Sequence, residues 1–174
     1  MNELSIAKGT FYYYFKSKEE VMDAIIMRTA KMIEAYAESV AAEANLTVQQ
    51  KLIKIFSMNF PQWEHKAQMI QELHQPENIE MHQKSLTQTV LKLTPAPTKI
   101  AEQGIKEGLF ATPYPKECIA NFLVSTQFLL DEGLFHWEPQ ELQRLVQAQL
   151  YIMERSMGAA EGSLQSLLQL FDRQ

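Results

Sequence analysis

The sequence predicts an all-α fold, in which a short N-terminal helical segment is joined by a long helix to a helical body. Apolar residues recur at helical spacing through most of the 174 residues, and the alternation typical of β-strands is missing. Glycine and proline are few, with six and seven residues, and the sequence shows no internal repeats. Together these observations favour a chain built from helices alone.

The most informative stretch is residues 7–20, which read AKGTFYYYFKSKEE. Its aromatic residues lie among three lysines, a pattern typical of a short helix that grips a phosphate backbone and reaches base edges. Phe11 and Phe15 are four residues apart, so they share one helical face and can anchor the helix to a core. The candidate DNA-binding residues are Lys8, Gly9, Thr10, Tyr12, Tyr13, Tyr14, Lys16 and Lys18.

A long helix is predicted to follow at once. Ser17 and Glu20 have the spacing of a capping box, and helical periodicity then continues over residues 17–44. A second capping box, formed by Thr47 and Gln50, begins the next helix. The boundaries of the later helices follow from prolines, glycines and further periodic runs. These helices are expected at residues 48–60, 63–74, 77–93 and 98–108, at residues 118–130, from Pro139 onward, and after Gly162, where Leu164, Leu167, Leu168 and Phe171 form one stripe.

Residues 118–130 read CIANFLVSTQFLL and carry no charge. A helix that is apolar on nearly all sides needs cover on nearly all sides, and the helix from Pro139 also has surplus apolar surface. We therefore predict a symmetric dimer built on a four-helix interface, although an interior helix of a monomer explains the same pattern. The candidate interface residues are Phe122, Leu123, Thr126, Leu130, Leu142, Leu145, Val146, Gln149 and Met153.

The charge and the cysteine content indicate which partners and which cellular compartment to expect. The net charge of −5 argues against a nucleic-acid binder, but residues 1–18 carry three lysines against Glu3 alone, which makes a basic tip on an acidic body. The single Cys118 excludes an internal disulfide framework and suits a reducing cytosol. No apolar run is long enough to span a membrane and no signal peptide is evident, so we expect a cytoplasmic protein.

Enzymatic motifs are missing from the sequence. The glycines form no phosphate loop, and the four histidines lack the i, i+4 pairing of helical metal sites. His74, Glu77, Glu80 and His82 cluster across Pro76, where solvated surface side chains are the expected interpretation. We therefore predict neither an enzyme nor a cofactor or metal site.

Residues 8–19, KGTFYYYFKSKE, resemble the second half of the helix-turn-helix in TetR-family transcriptional regulators, which commonly reads K-G-T-[FL]-Y-x-[YH]-F-x-[SN]-K-E. The resemblance implies a recognition helix in residues 1–18 and a helical effector-binding and dimerisation domain in residues 19–174. It also implies that the last two main helices form the dimer. In the family two further helices precede this motif, whereas here only residues 1–4 precede the turn, so we expect DNA binding to need those helices.

TetR-family regulators hold a small-molecule cavity in the helical body, which implies a small apolar or amphipathic effector. Methionine and aromatic side chains suit such a cavity, although at helical spacing they are also ordinary core residues. The candidate pocket residues are Phe56, Phe60, Trp63, Met69, Met81 and Phe122. The resulting hypothesis is a ligand-responsive repressor, whose dimer leaves its operator when the effector binds. The alternative is a truncated helical partner that does not bind DNA and acts by dimerisation or ligand sequestration.

Overall fold

The computed structural model describes residues 15–58 and 71–170. Within these ranges the chain forms six α-helices and no β-strand, which confirms the predicted all-α fold. The helices are α1 (Lys18–Ala42), α2 (Val48–Phe56), α3 (Ile79–Leu93), α4 (Pro95–Lys106), α5 (Pro115–Leu129) and α6 (Pro139–Met157). Two short 3-10 segments, Pro76–Asn78 and Gln165–Leu170, complete the fold.

Several predicted site residues lie outside the described ranges. They are Lys8, Gly9, Thr10, Tyr12, Tyr13 and Tyr14 of the DNA-binding set, and Phe60, Trp63 and Met69 of the pocket set. Phe171 of the terminal stripe and residues 63–70 of the helix predicted at residues 63–74 lie outside as well. The roles predicted for these residues remain predictions.

Helix α1 begins where the sequence predicts. The Ser17 hydroxyl accepts a hydrogen bond from the Glu20 amide at 3.2 Å, and the Glu20 carboxylate accepts one from the Lys16 amide at 2.6 Å. Two of the amides at this helix end thereby gain side-chain partners. The inner face of α1 packs mainly on α3 and α4. It consists of the buried residues Ile26, Ala30, Ile33, Ala37 and Val40.

Helix α2 is fixed by a cap at its start and by a lysine in its interior. The Thr47 hydroxyl accepts from the Gln50 amide at 3.2 Å and the Gln50 side chain accepts from the Thr47 amide at 2.9 Å, which confirms the second capping box. Lys51 is only 4% exposed, and its ammonium donates to the Ala41 carbonyl and to Gln103 Oε1, both at 2.9 Å. Ala41 offers one of the last carbonyls of α1, so Lys51 joins α1, α2 and α4 at one point.

Several helix boundaries differ from those predicted. Helix α2 ends at Phe56 and does not continue to residue 60, and α4 begins at Pro95 instead of near residue 98. The buried Thr94 separates α3 from α4, and its hydroxyl donates to the Val90 carbonyl at 2.6 Å. Ile79 is the first residue of α3 and is 67% exposed.

The terminal helix predicted after Gly162 is instead the 3-10 segment Gln165–Leu170, docked on α2 and α6. Leu164 and Leu167 are almost fully buried, as the predicted stripe requires. The carboxylate of Glu154, itself 5% exposed, accepts from the amides of Gly162 at 3.0 Å and Leu164 at 2.8 Å. These bonds hold the turn that precedes the 3-10 segment against α6.

We predict that Lys51→Met lowers the free energy of unfolding by about 1–3 kcal/mol, because it leaves the Ala41 carbonyl without its hydrogen-bond donor. Urea unfolding followed by circular dichroism measures the change. Lys31→Met on the exposed side of α1 is the matched control and should leave stability nearly unchanged. Equal midpoints for the two variants would show that the Lys51 ammonium adds nothing to stability.

Candidate effector pocket and dimer surface

The described part of the basic tip is the start of α1. Lys16 and Lys18 are exposed, and the Lys18 ammonium lies 3.7 Å from the Glu72 carboxylate. The hydrogen bond from the Ser17 hydroxyl holds the pKa of the Glu19 carboxyl below its usual value, and the Glu19 backbone amide and Lys18 act in the same direction. The lysines are thus available to a phosphate backbone, while the acidic residues complement the helix N-terminus.

Ion pairs connect α1 to the two helices on which it packs. Asp23 pairs with Lys84 of α3 near the start of α1. Farther along, Glu34 pairs with Lys92 at 3.1 Å, and Glu38 pairs with Lys99 of α4 at 2.6 Å. In all three pairs α1 supplies the acid and the body supplies the base. Pairs with this much exposure contribute little to stability, so the buried apolar face of α1, more than these pairs, holds the helix on α3 and α4.

An aromatic pair marks the junction of α2 and α5. The rings of Phe56 and Phe122 lie 5.3 Å apart at an angle of 56°. Phe122 is 7% exposed and Phe56, the last residue of α2, is half-buried. Met81 is half-buried on α3, which packs on α5. The structure therefore brings two of the predicted pocket residues into contact and places a third on a neighbouring helix.

Polar atoms without hydrogen bonds lie on the same stretch of α5. The hydroxyl oxygen of Thr126, one helical turn after Phe122, is buried and has no hydrogen-bond partner within the described residues. The side-chain oxygen of the adjacent Gln127 is also buried and has no hydrogen-bond partner within the described residues. Such atoms are rare in native cores, whereas ligand sites combine apolar walls with a few polar groups. Thr126 was predicted as a dimer residue, and no sequence signal identifies its unsatisfied hydroxyl.

Helices α5 and α6 lie side by side, and the Ser125 hydroxyl donates to Gln149 Oε1 at 2.8 Å between them. The residues predicted for the dimer interface fall into two groups in a single chain. The buried group comprises Phe122, Leu123, Val146, Gln149 and Met153. The half-buried group comprises Thr126, Leu130, Leu142 and Leu145.

Other apolar residues dominate the outer face of these helices. Val124 and Phe128 on α5 are about half exposed, as are Tyr151 and Ile152 on α6. Val124 and Phe128 are four residues apart, so they form one exposed stripe. The Phe128 ring packs edge-on against Phe135 at 5.5 Å, which extends this surface into the loop between the helices. We call Val124, Phe128, Tyr151 and Ile152 the outer apolar face.

Of the four residues predicted to cluster across Pro76, only some are exposed on the surface. Glu77 and Glu80 are exposed, as expected, but His74 and His82 turn inward and converge on the buried carboxylate of Asp131. The sequence indicated the two histidines, whereas Asp131 follows a different helix and was not associated with them. Of the described residues, these three form the one group able to offer three closely spaced metal ligands.

Comparison with known proteins gives one family match. Residues 54–150, more than half of the chain, match a family model described as "Tetracyclin repressor-like, C-terminal domain". The match runs from the end of α2 into α6, and so includes Phe56, Phe122 and the two residues of the outer apolar face on α5, Val124 and Phe128. A search of curated proteins gives no match. Among the described residues no helix is long and apolar enough to cross a membrane.

We predict that Thr126→Val raises the free energy of unfolding by about 1 kcal/mol, because it removes a buried oxygen that has no partner while keeping the shape of the side chain. Chemical denaturation measures the effect. The matched control is Thr94→Val, which removes the bond from Thr94 to the Val90 carbonyl and should lower stability by a similar amount. If both variants are destabilised alike, the Thr126 hydroxyl has a partner and its vicinity is ordinary core.

Proposed function

The chain belongs to the TetR family, and we propose that it is a ligand-responsive transcriptional repressor whose dimer holds operator DNA until a small effector binds the helical body. The observation that best supports this proposal is the continuity of α1. It begins at Lys18, directly after the segment that resembles a recognition helix, and its inner face is part of the core along most of its length. A shift of the body is therefore transmitted to the DNA-reading end.

The contacts of α1 supply the mechanical link. Its buried face packs on α3 and α4, and the exposed pairs Asp23–Lys84 and Glu38–Lys99 lie along the same contact. An effector that prefers a different arrangement of these helices tilts α1 and changes the spacing of the two recognition segments in the dimer. Because half-site spacing is set by the DNA helical repeat, a changed spacing lowers operator affinity.

The proposed effector is a small apolar or amphipathic molecule bound beside the Phe56–Phe122 pair. The two rings supply apolar contact surface, and the buried Thr126 hydroxyl supplies a polar group that has no protein partner within the described residues. Met81 lies on α3, which also contacts α1, so a ligand that moves α3 acts through it on the helix that positions the tip. Phe60, Trp63 and Met69 remain proposed lining residues.

The proposed partner of the outer apolar face is a second copy of the chain. Two adjacent helices that expose Val124, Phe128 and Ile152 can pair with the same surface about a two-fold axis and form a four-helix interface. The half-buried Leu142 and Leu145 adjoin this face on α6. Such a dimer presents two recognition segments to a palindromic site, as operator binding requires.

The repressor proposal is tested by selecting duplexes from random DNA, with this chain and with a version carrying any in-frame upstream helices. We expect the selected sequences to be palindromes. We expect a compound that raises the melting temperature of the protein to lower operator affinity, since a ligand that binds the folded state stabilises it. Phe56→Ala should weaken binding of the compound, whereas Tyr114→Ala at the exposed start of α5 should not. Failure of both versions to select any sequence would favour the non-DNA-binding partner.

We predict that Ile152→Glu converts the dimer to monomer at micromolar concentration, because each copy would bury an unpaired carboxylate in the interface. Sedimentation velocity measures the change, and circular dichroism verifies that the exposed position tolerates the charge. The matched control is Gln147→Glu, which adds the same charge to an exposed polar site of α6. A wild-type protein that sediments as a monomer, or two variants that behave alike, would place the interface elsewhere.

A further inference from the structure

Two histidines and an aspartate from three separate elements meet at one point. His74 precedes the Pro76–Asn78 turn, His82 lies in the first turns of α3, and Asp131 follows the end of α5. His74 Nε2 is 3.1 Å from Asp131 Oδ1, and His82 Nε2 is 2.9 Å from Asp131 Oδ2. The two imidazole centroids are 4.7 Å apart in an edge-to-face arrangement. The side chains of Asp131, His82 and His74 are 5%, 15% and 24% exposed, so this is not a solvated surface group.

We propose that His74, His82 and Asp131 bind one divalent first-row transition metal ion, with Zn²⁺ as the expected occupant. Two imidazole nitrogens and a carboxylate oxygen are ligands that such ions favour over Mg²⁺ or Ca²⁺. The three ligand atoms all lie within 4.8 Å of one another. Bonds of about 2.0–2.1 Å at a tetrahedral centre place ligand atoms ~3.3 Å apart, so small side-chain adjustments create the site. A water molecule completes the coordination.

The loop around Asp131 supports this geometry. The Gly133 amide donates to Asp131 Oδ1 at 2.8 Å and so fixes the orientation of the carboxylate. A Cβ atom on Gly133 would lie 2.7 Å from both Cγ and Cδ2 of the His74 ring. Gly133 does not have a positive φ, so the close approach of His74, and not backbone conformation, is what restricts a side chain at this position.

The connection between the two histidines is also held in place. Asn78 is 6% exposed, and its side-chain amide donates to the Glu72 carbonyl at 2.6 Å. Its backbone amide donates to the Gln75 carbonyl at 2.9 Å. These bonds keep the short segment from His74 to α3 folded, so the ligands are positioned before an ion arrives. Preorganised ligands lower the cost of ordering on binding.

Metal binding changes only where each imidazole carries its proton. Without an ion, each Nε2 lies within hydrogen-bond distance of an Asp131 oxygen and can donate a proton to it. With an ion, the proton of each imidazole resides on Nδ1 and the Nε2 lone pair binds the metal, while Asp131 remains ionised. No oxidation or reduction is involved. The site does not rest on the proposed repressor function, because it needs neither DNA nor an effector.

The test uses the full chain, freed of metals with a chelator and titrated with Zn²⁺ by calorimetry. We expect saturable binding of one ion per chain, and a higher melting temperature with Zn²⁺ than without it. Co²⁺, used as a spectroscopic probe, should give the visible absorption of a tetrahedral site. Gly133→Ala should weaken Zn²⁺ binding roughly 10–100-fold through the displaced His74 ring, as loss of a supporting contact typically does.

Glutamine variants separate a metal site from a purely structural cluster. His82→Gln and His74→Gln keep an N–H donor toward Asp131 but lose the imidazole ligand, so they should remain folded and lose Zn²⁺ binding. The control is His136→Gln, an exposed histidine outside the cluster, which should bind Zn²⁺ as wild type does. Folded wild-type protein without one-to-one Zn²⁺ binding, or binding that persists in both cluster variants, would overturn the proposal.

Discussion

The packing of α1 into the body is the constraint on which the rest of the structure depends. Ile33, Ala37 and Val40 of this helix belong to the same core as α2, α4 and α5, and the inner face continues through the buried Ile26 and Ala30. A helix of 25 residues is roughly 37 Å long, so it spans much of a small domain as one rigid element. Its start lies next to the basic tip and its end is tied to α2 and α4 through Lys51. Any rearrangement of the body must therefore move, bend or release α1.

Capping residues and a proline in the sequence predicted where α1, α2 and α6 begin, whereas the starts of α4 and α5 and the end of α2 differ from the prediction. Ser17, and Thr47 with Gln50, act through hydrogen bonds that span three residues, and Pro139 begins α6 because its missing amide is no loss there. The end of α2 at Phe56 and the 3-10 form of Gln165–Leu170 depend instead on contacts between distant segments. Glu154, for example, holds the turn at Gly162 from another helix. Such tertiary contacts override local preference and leave no short-range pattern.

At the candidate sites, too, the sequence indicated which residue types are present but not which other residues they contact. Periodicity identified α5 and α6 as helices with surplus apolar surface, but it could not tell which stripe meets the chain's own core. Met153 and Val146 turned out to be inside, and Ile152 and Val124 outside. The histidine pair was visible in the sequence, whereas its carboxylate partner comes from the end of α5 and becomes its neighbour only through folding. The chemistry of the residues could thus be predicted from the sequence, whereas the contacts between helices could not.

The most direct test of the account is native-state hydrogen exchange of α1 against the body. If the inner face of α1 belongs to the core, the amides of residues 26–40 should exchange as slowly as those of α2 and α4, and should lose protection in the same cooperative step as denaturant is added. That result would establish that the tip is carried by an element that cannot move apart from the body. Exchange of these amides well ahead of α2 and α4 would show that α1 opens independently. It would contradict the proposed transmission of an effector signal through this helix.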